Sequence, residues 1–132
     1  MTIAVDTSAL MAIVLGERDA LPFARALAAN SGDACVSAAT LVEATIVAEA
    51  RQGSAAAQDL AAVLRETRIR TVPLDATQAS IASAAWRRFG KGRHAAALDL
   101  GDCYSYALAR HLGAPLLFKG DDFRQTDIAS VL

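Results

Sequence analysis

With 132 residues, 54% of them hydrophobic, the chain is long enough for one domain with a real core and too short for two. Its apolar residues never run for the ~20 positions a membrane helix needs, and much of the total is alanine spread along helical segments, so a membrane-spanning protein is excluded and a soluble α/β domain expected. Thirteen basic against fourteen acidic residues leave a formal charge of -1, so a nucleic-acid partner would have to be held by a local patch and not by the overall field.

The chain opens MTIAVDTSAL, without the basic stretch and long apolar core of a secretion signal, and a cytoplasmic location is expected. Thr2 to Val5 reads as a buried parallel strand, yet it ends in a carboxylate, Asp6. Burying an unpaired charge costs several kcal/mol, so Asp6 must sit at the strand's open end, cap the next helix or meet a cation. SALMAIVLG and ALPFARALAAN follow as two helices, the second opened by Asp19 with Pro22 in its first turn. A second strand lies around Cys35 and Val36. Ser37 then caps AATLVEATIVAEARQ, which stops at Gly53, and Ser54 caps a further helix to about Glu66.

IRTVPL reads as a third strand, and Asp75 with Gln78 forms a capping-box variant at the head of ATQASIASAAWRRF, whose buried stripe is Ile81, Ala82, Ala85, Trp86 and Phe89. The polar loop GKGRHAAA leads to the helix GDCYSYALARHL, ended by Gly113, and then to a fourth strand in PLLF; a fifth would have to lie near the C-terminus. Cys35 and Cys103 fall in different elements, fit neither a disulfide framework nor a close-spaced metal pair, and read as core thiols. Short apolar strands alternating with helices predict one domain over 1–132, with a mainly parallel sheet covered on both faces.

Such a sheet carries its functional groups at the carboxyl ends of its strands. Asp6 and Asp121 both lie there, Glu43 sits in a helix with almost no polar neighbours, and Asp102 stands in the first turn of another helix. Each acid has a plainer role open to it: a helix cap for Asp6, dipole pairing for Asp99 and Asp102, an arginine partner for Glu43, a polar turn for Asp121 and Asp122. Their combination is what points to chemistry. At ~4 Å and an effective dielectric of ~20, each like-charged pair costs about 4 kcal/mol, so a cation is needed. An all-oxygen set without a histidine and cysteine cluster suits Mg2+ or Mn2+, ions that lower the pKa of water and stabilise charge at phosphorus.

Taken together, VDTSAL, SAATLVEATIVAEAR, RFGKGRHAAALDLGDCYSYALA and PLLFKGDDFRQTDI resemble, in order and over nearly the whole chain, a PIN-domain ribonuclease of the VapC toxin type. The resemblance implies a three-layer fold with about five strands, and a magnesium-dependent endoribonuclease that hydrolyses RNA. It also implies a homodimer restrained by a small VapB-type antitoxin. Catalytic and metal-holding acids would be Asp6, Glu43, Asp102 and Asp121, with Ser8, Asp99 and Asp122 as supporting candidates. Two departures stand out: Asp99 where the family commonly has Asn, and Phe118 with Lys119 where many members have Thr or Ser before the last acid.

In RRFGKGRH, the residues Arg87, Arg88, Lys91, Arg93 and His94 form the densest basic run, read either as a solvated helix end or as a rim gripping RNA phosphates; Arg124 is a further candidate. Trp86, Tyr104 and Tyr106 are expected in core or edge packing and not as base-stacking platforms, with only 5% of the residues aromatic. The alternative to an enzyme is a catalytically inactive PIN-like module that only binds RNA or a partner, against which stands the retention of all four acids. A phosphoacceptor receiver domain is excluded, because VDTSAL offers one acid where that domain needs two.

Overall fold

A computed structural model describes all 132 residues. Four parallel strands, β1 (Ile3–Val5), β2 (Ala34–Ser37), β3 (Arg70–Val72) and β4 (Leu116–Leu117), lie in the order β3-β2-β1-β4. Helices α1 (Thr7–Val14), α2 (Ala20–Ala29), α3 (Ala38–Gln52), α4 (Ser54–Glu66), α5 (Ala76–Phe89) and α6 (Leu100–Leu112) surround them. The expected fifth strand is reduced to one bridge: Ser130 pairs with Leu116, whose amide donates to Ala129.

The strands sort their side chains by alternation. Ile3, Val5, Val36 and Leu117 pack on one face against α1 to α4, while Ala4, Cys35 and Leu116 pack on the other against α5 and α6. Both cysteines are buried thiols, as expected. No helix is long and apolar enough to cross a membrane.

Several local expectations are corrected. Gly53, at φ +80°, occupies the position before α4, and Ser54 makes no cap. The Asp19 carboxylate does not cap α2 but accepts from Lys119 Nζ at 2.9 Å. In α5 the Asp75 side chain accepts from the Gln78 amide, but the buried Gln78 side chain donates to Pro73 instead of returning the bond. The buried stripe there is Gln78, Ala82, Ala85 and Phe89, and Trp86 is 44% exposed. In α3 the core face is a row of small residues, Thr40, Ala44 and Ala48, so the helix approaches the sheet closely and leaves Val42 and Ile46 about 60% exposed. That helix does have a solvent face, apolar at Val42 and Ile46 and polar in its last turn at Glu49, Arg51 and Gln52.

Candidate active site

Asp6 follows β1 directly, and its amide donates to Leu117 at 3.0 Å, locking it to the carboxyl edge of the central strands. It is 4% exposed and does two jobs. One oxygen caps α1, accepting from the Ser8 amide (3.0 Å) and Ser8 Oγ (2.6 Å), while the other accepts from Ser105 Oγ of α6. Ser8 Oγ in turn accepts from the Lys119 amide at 2.9 Å, so one hydroxyl ties the first carboxylate to the segment after β4.

Asp6, Glu43, Asp99 and Asp102 line one cleft of about 450 Å3, with Glu17, Arg51, Lys119 and Gly120 at its borders. Glu43 accepts from Thr7 Oγ1 at 2.5 Å. Asp99 and Asp102 form a reciprocal capping box at the start of α6: Asp99 Oδ1 accepts from the Asp102 amide (2.9 Å) and Asp102 Oδ2 from the Asp99 amide (3.1 Å). Cap and cleft are therefore not competing roles, because a helix that starts at the sheet's carboxyl edge presents its capping acids to the cleft.

Gly101 makes this close approach feasible. A Cβ built there would strike the Glu43 carboxyl, with Cδ and Oε1 2.6 Å away, so the Glu43 carboxyl can hold its present place against α6 only with glycine at this position.

The electrostatics follow from crowding. Burial pushes the Asp6 carboxyl above its usual range against the bonds from Ser105 and Ser8. Glu43 is raised chiefly by burial and further by the charges of Asp6 and Asp99. Asp102 is pushed up to about 8, again mainly by burial, with Asp6 and Asp99 adding to it. Of the two cations in the lining, Lys119 is already bonded to Glu17 (2.7 Å) and Asp19 (2.9 Å). The side chains are turned onto protein donors, and no three acidic, histidine or cysteine groups stand close enough together to hold an ion. Their chemistry nonetheless fits a hard divalent cation: all donors are oxygen, and the shared negative charge is what such an ion neutralises.

Asp121 and Asp122 lie outside this lining, both exposed in the turn after Gly120. The basic run divides. Arg88 pairs with Asp127 at 3.3 Å alongside Arg110 and Tyr106, whereas Arg87 and Lys91 border a second cavity and Arg93 stacks over Trp86, 4.4 Å from the ring centroid. Arg124 lies over Phe118, 5.5 Å from its ring centroid. Sequence reasoning missed Thr7 and Ser105, whose hydroxyls aim Glu43 and Asp6, because nothing in a linear pattern marks a contact across 36 or 99 positions. It also missed Arg51, which a signal could have found: Glu43, Val47 and Arg51 recur at i, i+4 and i+8, and all three line the cleft.

An all-parallel three-layer domain with carboxylates gathered at the carboxyl edge of its sheet places its candidate site where open α/β sheets carry their functional groups. The PIN domain family model matches residues 3–129, and the chain belongs to that family. It is 46% identical over 127 residues to Ribonuclease VapC of Mycolicibacterium smegmatis, covering 96% of this chain and 98% of that one. The same identity holds for Ribonuclease VapC30 of Mycobacterium tuberculosis, with 96% of each chain covered. Among solved structures, M. tuberculosis VapC20, described as a Sarcin-Ricin loop cleaving toxin, superposes with a TM-score of 0.81 at 23% identity over 98% of both chains, a likeness of fold. A toxin-antitoxin complex from Klebsiella pneumoniae shares the fold at a TM-score of 0.71 and 20% identity over 96% of this chain and 93% of that one.

Proposed function

We propose that the protein is a divalent-metal-dependent endoribonuclease, the toxin of a toxin-antitoxin pair, that hydrolyses RNA phosphodiester bonds. The observation that carries this reading is the cleft in which Asp6, Glu43, Asp99 and Asp102 face one another. The relatives named ribonucleases at 46% identity support it. Asp6, Glu43 and Asp102 would hold Mg2+ or Mn2+, with Asp121 as the outermost acid. Bound there, the ion neutralises phosphate charge and lowers the pKa of water. The chain's own part is preorganisation: Ser8 and Ser105 hold both oxygens of Asp6, Thr7 aims Glu43, and the α6 capping box keeps Asp102 at the edge. No side-chain nucleophile is required. Incubating the purified protein with total RNA, with magnesium and with chelator, tests the reading: defined fragments only in the magnesium lane are expected, and intact RNA in both would sink it.

The raised acids make a linked prediction. A carboxyl whose folded pKa exceeds its unfolded value binds more protons when native, so its stabilising contribution is present at low pH and lost as pH rises through the folded pKa. Asp6, Glu43 and Asp102 all shift this way, Asp102 to about 8. Without metal, Tm should therefore fall between about pH 5 and about pH 8. Magnesium binds the deprotonated set, so the Tm gain on adding it should grow over the same range. A metal-free Tm that climbs toward pH 8 would contradict the assignment.

RNA contact is assigned to Arg87 and Lys91, which border the cavity beside the acids, and to Arg93, whose guanidinium lies over the Trp86 ring in the wall of that cavity. Replacing the three with alanine should weaken RNA binding and shrink its salt slope by about 0.7 for each phosphate no longer gripped. Arg88→Ala, which removes an arginine already paired with Asp127, should leave the slope unchanged. Equal effects from both variants would mean that the rim is only a solvated helix end. For the antitoxin, the exposed apolar pair Val42 and Ile46, flanking Glu43 on α3, supports docking of an amphipathic helix. A VapB-type protein mixed with the enzyme should silence cleavage, and undiminished cleavage in a stoichiometric mixture would refute that partner.

A further inference from the structure

A cavity of about 710 Å3 opens between α5 and α6, beside the acid cleft. Its size falls within the ~300–1,000 Å3 of small-ligand sites. Eight of its twelve lining residues are hydrophobic, and two of these, Leu100 at 69% and Trp86 at 44%, stand far more exposed than large apolar side chains inside a core. Trp86 is nevertheless held in place. A Cβ at Gly90 would lie 2.5 Å from its Cδ1 and 2.9 Å from its Nε1, and the Arg93 guanidinium sits over its ring. Arg87 and Lys91 stand on the rim, and Tyr104 lines the α6 side. Asp99 lines both this cavity and the acid cleft, so the two share a wall.

We propose that this cavity seats one unpaired base of the RNA, next to the phosphate that is cut. The inference rests on the ribonuclease reading and adds a base-recognition subsite to it. The choice of occupant follows from charge and continuity. A groove for an apolar protein helix has no need of cations at its rim, whereas a flat aromatic group joined to phosphates needs an apolar floor, an aromatic edge and nearby positive charge. With a phosphate over the cleft, the neighbouring nucleotide meets Leu100 and Trp86 across the Asp99 wall. Of the core or edge packing expected from sequence, the 44% exposure of Trp86 leaves the edge, to which the proposal adds base stacking, while Tyr106, buried and bonded to Asp127, keeps the core role.

Trp86 is the only tryptophan in the chain, so its fluorescence reports this cavity directly. The full chain, kept in chelator to prevent cutting, is titrated with oligoribonucleotides about six nucleotides long and with abasic backbones of the same length. Base-bearing strands should quench Trp86 and abasic ones should not. Trp86→Ala should weaken binding of a labelled oligonucleotide between about fivefold and about a hundredfold, the range of base stacking on an aromatic side chain, and Trp86→Phe should restore most of it. In magnesium, Trp86→Ala should raise KM more than it lowers kcat. Quenching without any cleavage in magnesium would leave the base site standing and defeat the enzyme reading. Cleavage of total RNA without quenching by any oligonucleotide, or equal quenching by abasic strands, would overturn the base site alone. So would a Trp86→Ala variant that binds RNA normally but changes oligomeric mass, since the cavity would then be an interface with a second copy.

Discussion

Asp6→Asn and Asp102→Asn should each lower the cleavage rate by about a thousandfold or more while the metal-free protein melts at the same or a higher temperature. Loss of an acid that holds a catalytic cation forfeits several kcal/mol of charge stabilisation, and ~4 kcal/mol is about a thousandfold. Stability moves the other way because burial disfavours both carboxylates in their charged form, so a neutral amide relieves the folded state. The bonds survive the change. Asparagine is as good a helix cap as aspartate, and at position 6 its amide can donate to Ser105, whose hydroxyl can turn toward Thr40 Oγ1, 3.4 Å away. At position 102 the amide oxygen still accepts from Asp99. Asp121→Asn, altering an acid outside the cleft lining, should cost less than either. Parallel kinetics and melting in chelator decide it: a clear loss of metal-free stability in both inner variants would reduce these acids to caps, and full activity in either would remove it from the site.

Gly101→Ala should abolish most cleavage and leave the fold nearly untouched. The three atoms nearest the new Cβ all belong to the Glu43 carboxyl, the free end of a flexible side chain, so Glu43 swings aside and the backbone need not move. Giving up the bond from Thr7 costs about 1.5–3 kcal/mol for a charged acceptor, and alanine returns up to ~1 kcal/mol of helix propensity. The net is a loss of about 0.5–3 kcal/mol in stability with the backbone in place. Few substitutions separate catalysis from folding so cleanly, since one methyl group displaces one carboxylate. Circular dichroism, melting and RNA cleavage on the same preparation test this. Wild-type activity in Gly101→Ala would show that Glu43 need not occupy its present position.

How much of this was legible beforehand depends on range. Apolar runs and short-range caps read well: β1, the capping of α3 by Ser37 and of α5 by Asp75, and the end of α6 at Gly113 all depend on residues within about four positions of one another. The basic run read as one patch along the chain, yet a helix turns its members apart, sending Arg88 to Asp127 and Arg87 to the cavity. Trp86 read as core because its spacing matches Ala82 and Phe89, whereas the smaller Gln78, Ala82 and Ala85 let α5 pack closely and leave the indole outside.

By itself the sequence determined the class of fold and that Asp6 and the start of α6 meet at one edge of the sheet, because alternating strands and helices force parallel crossovers and parallel crossovers place both on one side. Only the tertiary structure decided which acids share a cleft, that Asp121 stands just beyond its lining, that Thr7 and Ser105 aim the carboxylates, and that Gly101 makes room for Glu43. Those are contacts between residues 36 to 99 positions apart, where a difference of about one ångström separates a hydrogen bond from a clash, and no local propensity encodes a distance of that kind.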